Sequence, residues 1–547
     1  MSRPIRWAGT RALLVELPSL EAVVALHGVL AEDPLPGQVE VLAAAETVLI
    51  RFASRAAALA GRAAVDRLDV GDARALAGRT VEIDVVYDGA DLAEVGRLTG
   101  LGPDGVVAAH TGRLWTAAFG GFAPGFSYLA DGEPALEVPR RNIPRTAVPA
   151  GSVALAGRFS AVYPRRSPGG WQLIGHTTQP MWDLSRESPA LIRPGDRVRF
   201  TAVREAISVE ATEATGAAGA DQASEGDGAR PADAPAGTLE VLDAGLQSLV
   251  QDLGRPGLGD LGVSASGAAD ASSARQANRL VGNAPGAAVV ENLLGSLRLR
   301  AHGDHVLAVA GARVDLEITP GEIEPGQGGP ARHPSQDAPF ALLDGETLSL
   351  GAATAGLRPY VAVRGGVAVP AVLGSRSTDA MSGLGPDPLA AGMLLPVGSA
   401  RPGQAVGESE PTALRITPGA VAVLRVVPGP REDWFGADGL SRLTGQEWTA
   451  SSESNRIGLR LTAGAGGRPL ERVRAGELAS EGAVPGSLQV PPSGLPVVFL
   501  ADHPVTGGYP VIAAVVPEDL PVAAQLPPGT AIRFQLVDPD TLEPSSS

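Results

Sequence analysis

The chain has no cysteine and no lysine: all 44 residues counted as lysine or arginine are arginine. Without cysteine it can form neither a disulfide nor a thiolate zinc site, and no redox compartment can be inferred. Without lysine it has no amine for Schiff-base chemistry, no phosphate-binding lysine of a P-loop, and no attachment point for biotin. These absences exclude several classes of chemistry from the chain itself.

Long apolar segments are absent as well. No run approaches the roughly 18 apolar residues of a membrane-spanning helix, and residues 1–16 lack the basic head and apolar stretch of a secretory signal. The net charge is −16 and the arginines are scattered along the chain, whereas nucleic acids and anionic membranes are bound by basic stripes. We therefore expect a cytoplasmic protein that binds neither nucleic acid nor a membrane.

Glycine and proline are abundant, with 70 and 47 copies among 547 residues, and 44% of the residues are hydrophobic. A chain of this length exceeds what one hydrophobic core accommodates, so we expect two to four domains. Many short elements joined by tight turns suit this composition better than long helices do. The composition predicts a mainly β protein.

Three short blocks occur twice, in the same order and at similar spacing, which indicates an internal repeat. Each copy has a Pro-Gly-Ser type of turn, then a glycine pair followed by an aromatic residue, then a Pro-Gly turn that ends in Arg-Phe. The first copy lies at Pro149–Ser152, Ser167–Trp171 and Pro194–Phe200, and the second at Pro485–Ser487, Thr506–Pro510 and Pro528–Phe534. The chain therefore carries one β-rich module twice, and we expect the two glycine pairs to occupy equivalent places.

Local patterns predict several individual elements. Alternating or continuous apolar residues predict strands at Leu13–Leu17 and Val81–Val85. Apolar residues at helical spacing follow Ser19 and Asp270, which are typical N-cap residues, so a helix is expected after each. A further helix is expected at 91–98.

The segment 211–237 has no aromatic side chain and almost no aliphatic one. Such a segment buries too little apolar surface to offset the entropy of ordering, so it is predicted to be a flexible linker between two halves that fold as separate units. The predicted divisions are a small α+β domain at 1–80, a β domain at 81–207, the linker at 208–238, a duplicated β region at 239–537 and a disordered tail at 538–547.

Dense glycine in the first half predicts close approach of the backbone to a ligand or to another strand. The pair Gly169-Gly170 can offer N–H groups to an anion, and Arg140 and Arg145 can add forked donors for phosphate or carboxylate. A set of hairpin turns with aromatic packing would give the same pattern. His176 follows an apolar stretch, where a satisfied core or rim histidine is the alternative to a catalyst.

The second half keeps charged residues beside glycines, a pattern typical of a polar cleft in an apolar chain. Solvated loop residues and local caps are the alternative interpretation. The charged residues in question are Asp252, Arg255, Asp270, Arg364, Arg376, Arg456 and Asp502, and the last is followed by His503 and the block Gly507-Gly508-Tyr509.

These motifs together resemble a known pair of families. The string Gly121–Leu129 and the block Ser167–Trp171 are similar to the first subunit of allophanate hydrolase, the Kip-inhibitor family that includes the B subunit of prokaryotic 5-oxoprolinase. The block Thr506–Pro510 resembles the second subunit of allophanate hydrolase, the Kip-antagonist family that includes the C subunit of 5-oxoprolinase. The resemblance covers about residues 80–205 and 239–535.

The resemblance implies cyclophilin-like β-barrels, one in the first half and a duplicated pair in the second, beside a small α+β N-terminal domain. It implies an ATP-hydrolysing enzyme that opens the cyclic amide 5-oxo-L-proline to L-glutamate. ATP with its Mg²⁺ counter-ion would be the co-substrate, and no biotin is expected on this chain. The implied partner is the separate A subunit of 5-oxoprolinase, a protein of the lactam-utilisation family, and self-association is left open.

The residues expected to be catalytic are His176, Asp502 and His503, and we expect all three to line clefts. No His-x-x-x-His motif or carboxylate cluster marks a metal site, so none is predicted. The residues expected to bind substrate or nucleotide are Arg145, Gly169, Gly170, Asp252, Arg255, Arg376, Arg456, Gly507, Gly508 and Tyr509.

Two other functions remain open at this point. The chain could be the carboxyltransferase component of a biotin-dependent system similar to urea carboxylase, in which case partner chains must carry the biotin. It could also be a binding module that inhibits a histidine kinase, as a member of the first family does.

Overall fold

The computed structural model describes residues 3–68, 78–130, 134–204, 235, 237–321, 329–400 and 402–544. Short strands predominate within these ranges, which confirms the predicted mainly β class. None of the described helices is both long enough and apolar enough to cross a membrane. Most of the predicted linker at 208–238 and the end of the tail at 538–547 lie outside the described residues, so both stay predictions.

The chain forms two compact units. The larger unit contains the described residues up to 68, residues 119–124 and residues 237–544, and the smaller unit contains 78–118 and the described residues from 125 to 204. The N-terminal segment thus packs with the C-terminal half, where Leu14 and Leu49 share an apolar cluster with Val484 and Val505. The prediction of two self-contained halves is therefore wrong for this segment, because its apolar partners lie far away in the sequence.

The N-terminal part of the larger unit is a four-stranded antiparallel sheet of order β1-β2-β4-β3 with two helices. Ser19 caps the first helix, as predicted, by accepting a hydrogen bond from the Ala22 N–H at 3.3 Å. The elements are β1 Ile5–Trp7, β2 Ala12–Glu16, α1 Leu20–Glu32, β3 Gln38–Ala43, β4 Thr47–Phe52 and α2 Arg55–Arg67.

The smaller unit is built on one seven-stranded sheet and a two-stranded ribbon. The predicted strand at Val81–Val85 and the predicted helix at 91–98 are confirmed as β5 and α3. The elements are β5 Thr80–Val85, α3 Leu92–Thr99, α4 Gly102–Thr111, β6 Leu114–Gly120, β7 Ser127–Ala130, β8 Arg145–Val148, β9 Ser152–Ala156, β10 Phe159–Val162, β11 Ser167–Gly169, β12 Gln172–His176 and β13 Arg197–Ala202.

The middle part of the larger unit has two five-stranded sheets whose inner faces share one apolar core. Asp270 caps α5 by accepting from the N–H groups of Ser272 and Ser273, which confirms that prediction. The elements are β14 Thr238–Ala244, β15 Ser248–Gln251, α5 Ala271–Leu280, β16 Val289–Asn292, β17 Leu297–His302, β18 His305–Arg313, β19 Leu316–Thr319, β20 Pro339–Leu342, β21 Thr347–Leu350, β22 Ala355–Val363 and β23 Leu394–Pro396.

The last part of the larger unit is a closed seven-stranded barrel, called here the C-terminal barrel. A separate two-stranded ribbon, β27 with β30, carries the second glycine pair. The elements are β24 Ala422–Pro428, α6 Gly439–Thr444, β25 Trp448–Ala450, β26 Gly458–Ala463, β27 Glu481–Gly482, β28 Ser487–Gln489, β29 Val497–Phe499, β30 Thr506–Gly507, β31 Val511–Val515, α7 Leu520–Ala524 and β32 Ala531–Leu536.

The sheet of the smaller unit and the C-terminal barrel have the same strand order. The order β12-β9-β10-β7-β6-β13-β5 matches β31-β28-β29-β26-β25-β32-β24 strand for strand. In both, the first and last strands of the module pair in parallel, β5 with β13 and β24 with β32, while all the other recorded pairs are antiparallel. The repeat predicted from the sequence is therefore one fold used twice.

The repeated turns make the same hydrogen bonds in both copies. The N–H of Gly151 donates to Tyr163 O and that of Gly486 to Phe499 O, each at 2.8 Å. Both glycines have a positive φ, +78° and +89°, which favours glycine at this turn position. In the ribbons, Gly169 lies opposite Arg145 and Gly507 opposite Glu481. The prediction that the glycine pairs occupy equivalent places is confirmed.

A tryptophan anchors the same strand in each copy. Trp115 begins the buried part of β6 and its indole N–H donates to His110 O at 3.0 Å, while Trp448 on β25 donates to Leu443 O at 2.9 Å. The residues are 1% and 0% exposed, so each ring is inside its core while its one polar atom is satisfied. The spacing of five residues between donor and acceptor ties each strand to the helix before it.

Replacing Trp448 with alanine should lower the free energy of unfolding by about 3–5 kcal/mol, because it leaves a cavity in the C-terminal barrel and removes the bond to Leu443. Urea unfolding followed by circular dichroism measures this. The matched control is Tyr509→Ala, at an aromatic residue of the same module that is 45% exposed, where we expect a change within about 1 kcal/mol. Equal losses for both variants would contradict the anchoring role of Trp448.

Candidate functional site

The larger unit contains a buried polar cluster centred on Arg456, which precedes β26. Its guanidinium donates through Nε to Asp502 Oδ2 and through Nη2 to Asp502 Oδ1, each at 2.9 Å, and through Nη1 to Glu291 Oε1 at 2.5 Å. Asp502 is 0% exposed, and Arg456 and Glu291 are 4% exposed. The two carboxylates outweigh the effect of burial and raise the pKa of Arg456. The guanidinium thus stays charged in the interior because its donors are paired with carboxylates.

Glu291, on β16, accepts from several further donors. Its Oε2 accepts from the Tyr360 hydroxyl and from the Ala269 N–H, both at 2.9 Å, and the Arg358 Nε lies 3.5 Å from its Oε1. Burial raises the pKa of Glu291, but Arg456 and Arg358 outweigh burial and hold that pKa below its usual range. Glu291 is therefore a carboxylate that accepts hydrogen bonds and cannot supply a proton at neutral pH.

Asp502 belongs to the loop between β29 and β30, and three segments meet on it. Besides Arg456, the Ser266 hydroxyl donates to its Oδ1 at 2.6 Å and the Ala380 N–H lies 3.3 Å from its Oδ2. Burial, followed by the charge of Asp502, raises the pKa of nearby Asp379. Asp379 therefore keeps its proton to a higher pH than an ordinary aspartate does, because burial disfavours its charged form and Asp502 repels it.

A second loop network lies beside this cluster. Asp252 Oδ1 accepts from the hydroxyls of Ser375 and Ser377, each at 2.6 Å, and its Oδ2 accepts from the Arg376 N–H at 2.7 Å. Arg255, 2% exposed, donates to the carbonyl of Ser377, and its Nη1 is buried without a hydrogen-bond partner in the described structure. Asp252 thereby fixes the loop 375–377, and Arg255 leaves one buried donor unused.

His503 is stacked on Phe499, with ring centroids 5.3 Å apart and an interplanar angle of 11°. Its Nδ1 donates to the Pro504 carbonyl at 2.8 Å, so in the neutral ring Nε2 is the acceptor. Burial lowers the pKa of His503 to about 4. The ring is therefore neutral at pH 7.

The smaller unit has its own buried ion pair, at Asp91. One carboxylate oxygen accepts from Arg141 at 2.6 Å and from Arg145 at 2.8 Å, and the other accepts from the Leu173 N–H at 2.8 Å. Burial raises the pKa of Asp91, but Arg145, the Leu173 N–H and Arg141 outweigh it and keep the pKa low. Two guanidinium groups thus share one carboxylate, which leaves a local excess of positive charge.

The C-terminal barrel has the same pair with the charges exchanged. Gly89 and Gly429 make the same backbone bond, from the glycine N–H to Ile174 O and Ile512 O respectively. Two residues later, Asp91 and Arg431 donate their N–H to Leu173 O and Val511 O. Arg431 then binds Glu481, the residue that occupies the place of Arg145, and also Glu16 of the N-terminal sheet.

Aromatic rings pack around the first glycine pair. Phe126 contacts Tyr128, Tyr163 and Trp171 at centroid distances of 5.1, 5.4 and 5.5 Å, all edge-on. A Cβ on Gly169 would lie 2.2 Å from the Tyr163 hydroxyl oxygen, so only glycine fits there. Burial raises the pKa of Tyr163 to about 12. The hydroxyl is therefore a hydrogen-bond donor at neutral pH.

His176, at the end of β12, is the one predicted catalytic residue with an exposed side chain. Its Nδ1 lies 2.8 Å from Asp88 Oδ1, and the two side chains are 43% and 58% exposed. Its backbone forms a two-bond bridge with Val86 that joins the two edges of the seven-stranded sheet. His176 thus combines a structural backbone role with a solvent-facing ring.

The comparison with protein families agrees with this architecture. Residues 261–536 match the model of the carboxyltransferase domain, subdomains A and B, and residues 3–192 match the model of subdomains C and D. The first match covers half of the chain. The chain belongs to the carboxyltransferase-domain family.

Several curated carboxyltransferase-domain proteins are similar to it. The C subunit of 5-oxoprolinase from Escherichia coli K12 is 35% identical over 301 residues, which is 54% of this chain and 90% of that protein. The B subunit of 5-oxoprolinase from Escherichia coli O157:H7 is 48% identical over 132 residues, 24% of this chain and 61% of that protein. The urea amidolyase of Lachancea kluyveri is 31% identical over 327 residues, which is 54% of this chain but 17% of that protein.

A solved structure extends the similarity over almost the whole chain. The crystal structure of TTHA0988 has a TM-score of 0.78 and 34% sequence identity, and the match covers 96% of this chain and 99% of that one. Its coverage shows that both carboxyltransferase regions occur in one chain there as well.

The structure brings five of the predicted binding and catalytic residues of the larger unit into adjoining networks: Asp252, Arg255, Arg376, Arg456 and Asp502. His176 and Arg145 belong to the smaller unit. The prediction that Asp502 and His503 line a cleft is wrong, because they are 0% and 5% exposed and are satisfied by Arg456 and Pro504. Their catalytic role stays a prediction.

The residue pattern did not reveal Asp91, Glu291 or Glu481. Asp91 precedes a predicted helix and suggests an N-cap, yet its carboxylate makes no capping bond and turns to arginines 50 and 54 residues later. Glu291 lies in a continuous apolar strand, where a lone acid signals a buried partner, but the partner is 165 residues away. Among the described residues no group of three or more His, Asp or Glu side chains could hold a metal ion.

Replacing Arg456 with alanine should lower the free energy of unfolding by about 3–5 kcal/mol, because Asp502 and Glu291 would remain buried without their shared cation. Urea unfolding measures the loss. Arg460→Ala is the control, at an exposed arginine four residues along the chain, where the change should stay within about 0.5 kcal/mol. A similar small effect in both variants would show that the cluster does not stabilise the unit.

Replacing His503 with phenylalanine should flatten part of the dependence of stability on pH. The pKa of His503 falls from 6.5 to about 4 on folding, so below pH 6.5 the unfolded chain takes up a proton that the folded chain refuses. The contribution of His503 to the free energy of unfolding is therefore complete above pH 6.5, and about 3 kcal/mol of it is lost as the pH falls to 4. Unfolding of both proteins at pH 7.5, 5.5 and 4.0 measures the difference. Parallel curves would contradict the buried neutral ring.

Proposed function

We propose that this chain is the joined B and C component of an ATP-dependent 5-oxoprolinase, which opens 5-oxo-L-proline to L-glutamate together with a separate A subunit. One observation carries the proposal: a single chain aligns in tandem with curated proteins named as the B and the C subunit of the same enzyme. In the relative named as the C subunit the alignment spans 90% of the protein, so most of that component is represented here.

The chemistry requires activation of a stable amide. In the proposed sequence the lactam carbonyl oxygen attacks the γ-phosphorus of ATP and ADP leaves. Water then adds to the activated carbon, and the ring nitrogen leaves as the amine, which gives an acyl phosphate. A second water displaces phosphate and yields glutamate. Each step forms or disperses negative charge on oxygen, and fixed donors in a dry site stabilise such charge.

The polar cluster of the larger unit suits a positioning role better than a proton-transfer role. Asp502 and Glu291 accept hydrogen bonds from Arg456, Ser266 and Tyr360, so their lone pairs are largely occupied. In this region, Arg255 has a donor nitrogen, Nη1, that is buried without a hydrogen-bond partner in the described structure. We infer that Arg456 and Asp502 hold the loops around Arg255.

A biotin-dependent carboxyltransferase is the alternative proposal, favoured by the similarity to urea amidolyase. Because the chain has no lysine, biotin would have to be carried by another chain. The alternative predicts that 5-oxoproline is not consumed, whichever partner protein is added. It also predicts that the chain consumes a carboxylated biotin carrier.

A coupled assay tests the proposed function. Glutamate formed from 5-oxoproline and ATP should require both this chain and an A subunit, and either protein alone should give little, since the motifs correspond to the B and C components only. Sustained glutamate production by this chain with ATP alone would contradict the proposed division of labour. No production by the mixture, when the same A subunit is active beside its own partners, would contradict the function.

Within that assay, Asp502→Asn should lower kcat at least tenfold, because the loops held by Asp502 lose a charge-assisted bond to Arg456. Glu453→Gln is the control, since Glu453 is an exposed acid in the loop before β26. Circular dichroism at the assay temperature confirms that both variants are folded. Unchanged kcat in folded Asp502→Asn would remove Asp502 from the functional site.

A further inference from the structure

The arginines are scattered over the chain as a whole, but one segment of the smaller unit departs from this distribution. Residues 138–176, which begin seven residues before β8 and end with β12, contain six arginines and no aspartate or glutamate. The arginines of this segment, called here the arginine segment, are Arg140, Arg141, Arg145, Arg158, Arg165 and Arg166. The chain as a whole has a net charge of −16, so a segment with six arginines and no acid differs clearly from the rest.

The fold itself does not require these arginines. The equivalent segment of the C-terminal barrel, residues 474–514, has one arginine and three acids and builds the same strands. At one equivalent position the smaller unit has Arg145 and the C-terminal barrel has Glu481, each opposite the first glycine of its pair. The same backbone therefore accepts either sign of charge, and the positive sign in the smaller unit is a property of this copy alone.

The geometry places arginines of this segment beside the glycine pair. Gly169 lies opposite Arg145 in the ribbon, and the Arg141 N–H donates to Gly170 O at 2.7 Å. The Tyr163 hydroxyl meets Gly169, and the charges of Arg140 and Arg145 both act on it. The guanidinium groups of Arg140 and Arg145 thus lie near the glycine pair, beside the buried Tyr163 ring.

The positive charge there is only partly neutralised. Asp91 is the carboxylate bound by Arg141 and Arg145, and it is shared between them. Arg140, Arg158 and Arg166 are exposed and form no ion pair with a carboxylate in the described ranges. Arg158 instead lies over the Phe159 ring, 5.6 Å from its centroid. Several guanidinium groups therefore face solvent with their hydrogen-bonding capacity unused.

We propose that the arginine segment, at the glycine pair Gly169-Gly170, is a binding site for a chain of phosphate groups. Planar guanidinium forks match the geometry of phosphate oxygens, and several of them together favour a multiply charged ligand over a single carboxylate. The identification of the ligand as the triphosphate of ATP rests on the proposed function, whereas the preference for polyphosphate does not. Arg140 and Arg166 are the residues of choice for a test because they lack internal partners in the described structure.

Isothermal titration calorimetry of the full chain with tripolyphosphate tests the site. The double variant Arg140→Gln with Arg166→Gln should bind at least about tenfold more weakly, since two charge-assisted contacts are lost. The matched control, Arg460→Gln with Arg468→Gln, removes two exposed arginines from the C-terminal barrel and should bind as the unaltered chain does. Absence of tripolyphosphate binding by the unaltered chain, or equal weakening in both double variants, would overturn the proposal.

Two further measurements separate the ligand from the function. Displacement of tripolyphosphate by 5-oxoproline at matched concentration would assign the site to a carboxylate and overturn the phosphate assignment. In the coupled assay, the Arg140/Arg166 double variant should show a raised KM for ATP. If both the KM for ATP and the affinity for tripolyphosphate stay unchanged, the proposed site is wrong, while the proposed function is unaffected. Specific tripolyphosphate binding without glutamate formation would support the site and contradict the proposed function.

Discussion

The interior of the larger unit depends on one guanidinium group. Arg456 is bonded to Asp502 in its own module and to Glu291 in the preceding one, so a single side chain satisfies acids from two modules. Burying charges is unfavourable unless each is paired and hydrogen-bonded, and here Ser266, Tyr360 and backbone N–H groups complete the pairing. Apolar residues could fill the same volume, but they would not fix which loops meet.

Comparison of the two copies of the duplicated module distinguishes the residues that the fold requires from the residues that differ between the copies. The positive-φ glycines, the buried tryptophan and the hydrogen bonds of the turns recur in both copies, since they serve the backbone and the core. The ion pair beside each glycine pair recurs in position but with its charges exchanged. Conserved geometry with reversed charge is the pattern expected when two copies of one module have taken different ligands or neighbours.

Features set by nearby residues were predictable from the sequence, and features set by distant ones were not. Ser19 and Asp270 accept hydrogen bonds from residues at most three positions later, and the turn glycines are needed for the φ angle of their own position. Each of these features therefore leaves a signature in the local sequence. The pairing of Arg456 with Glu291 spans 165 residues and leaves none. The expected exposure of Asp502 is wrong for the same reason, because a charged residue in a loop suggests contact with solvent, and its cation, Arg456, lies 46 residues away.

The order of elements along the chain has a consequence for synthesis. Glu16 pairs with Arg431, which follows 415 residues later, and at about 5–20 residues per second that interval is roughly 20–80 seconds. The smaller unit lies between them in sequence, and its sheet is completed when β13 leaves the ribosome. The N-terminal sheet therefore emerges first yet reaches its final partners last, with Leu14 and Leu49 uncovered meanwhile. We expect that apolar face to be open to non-native contacts for most of translation.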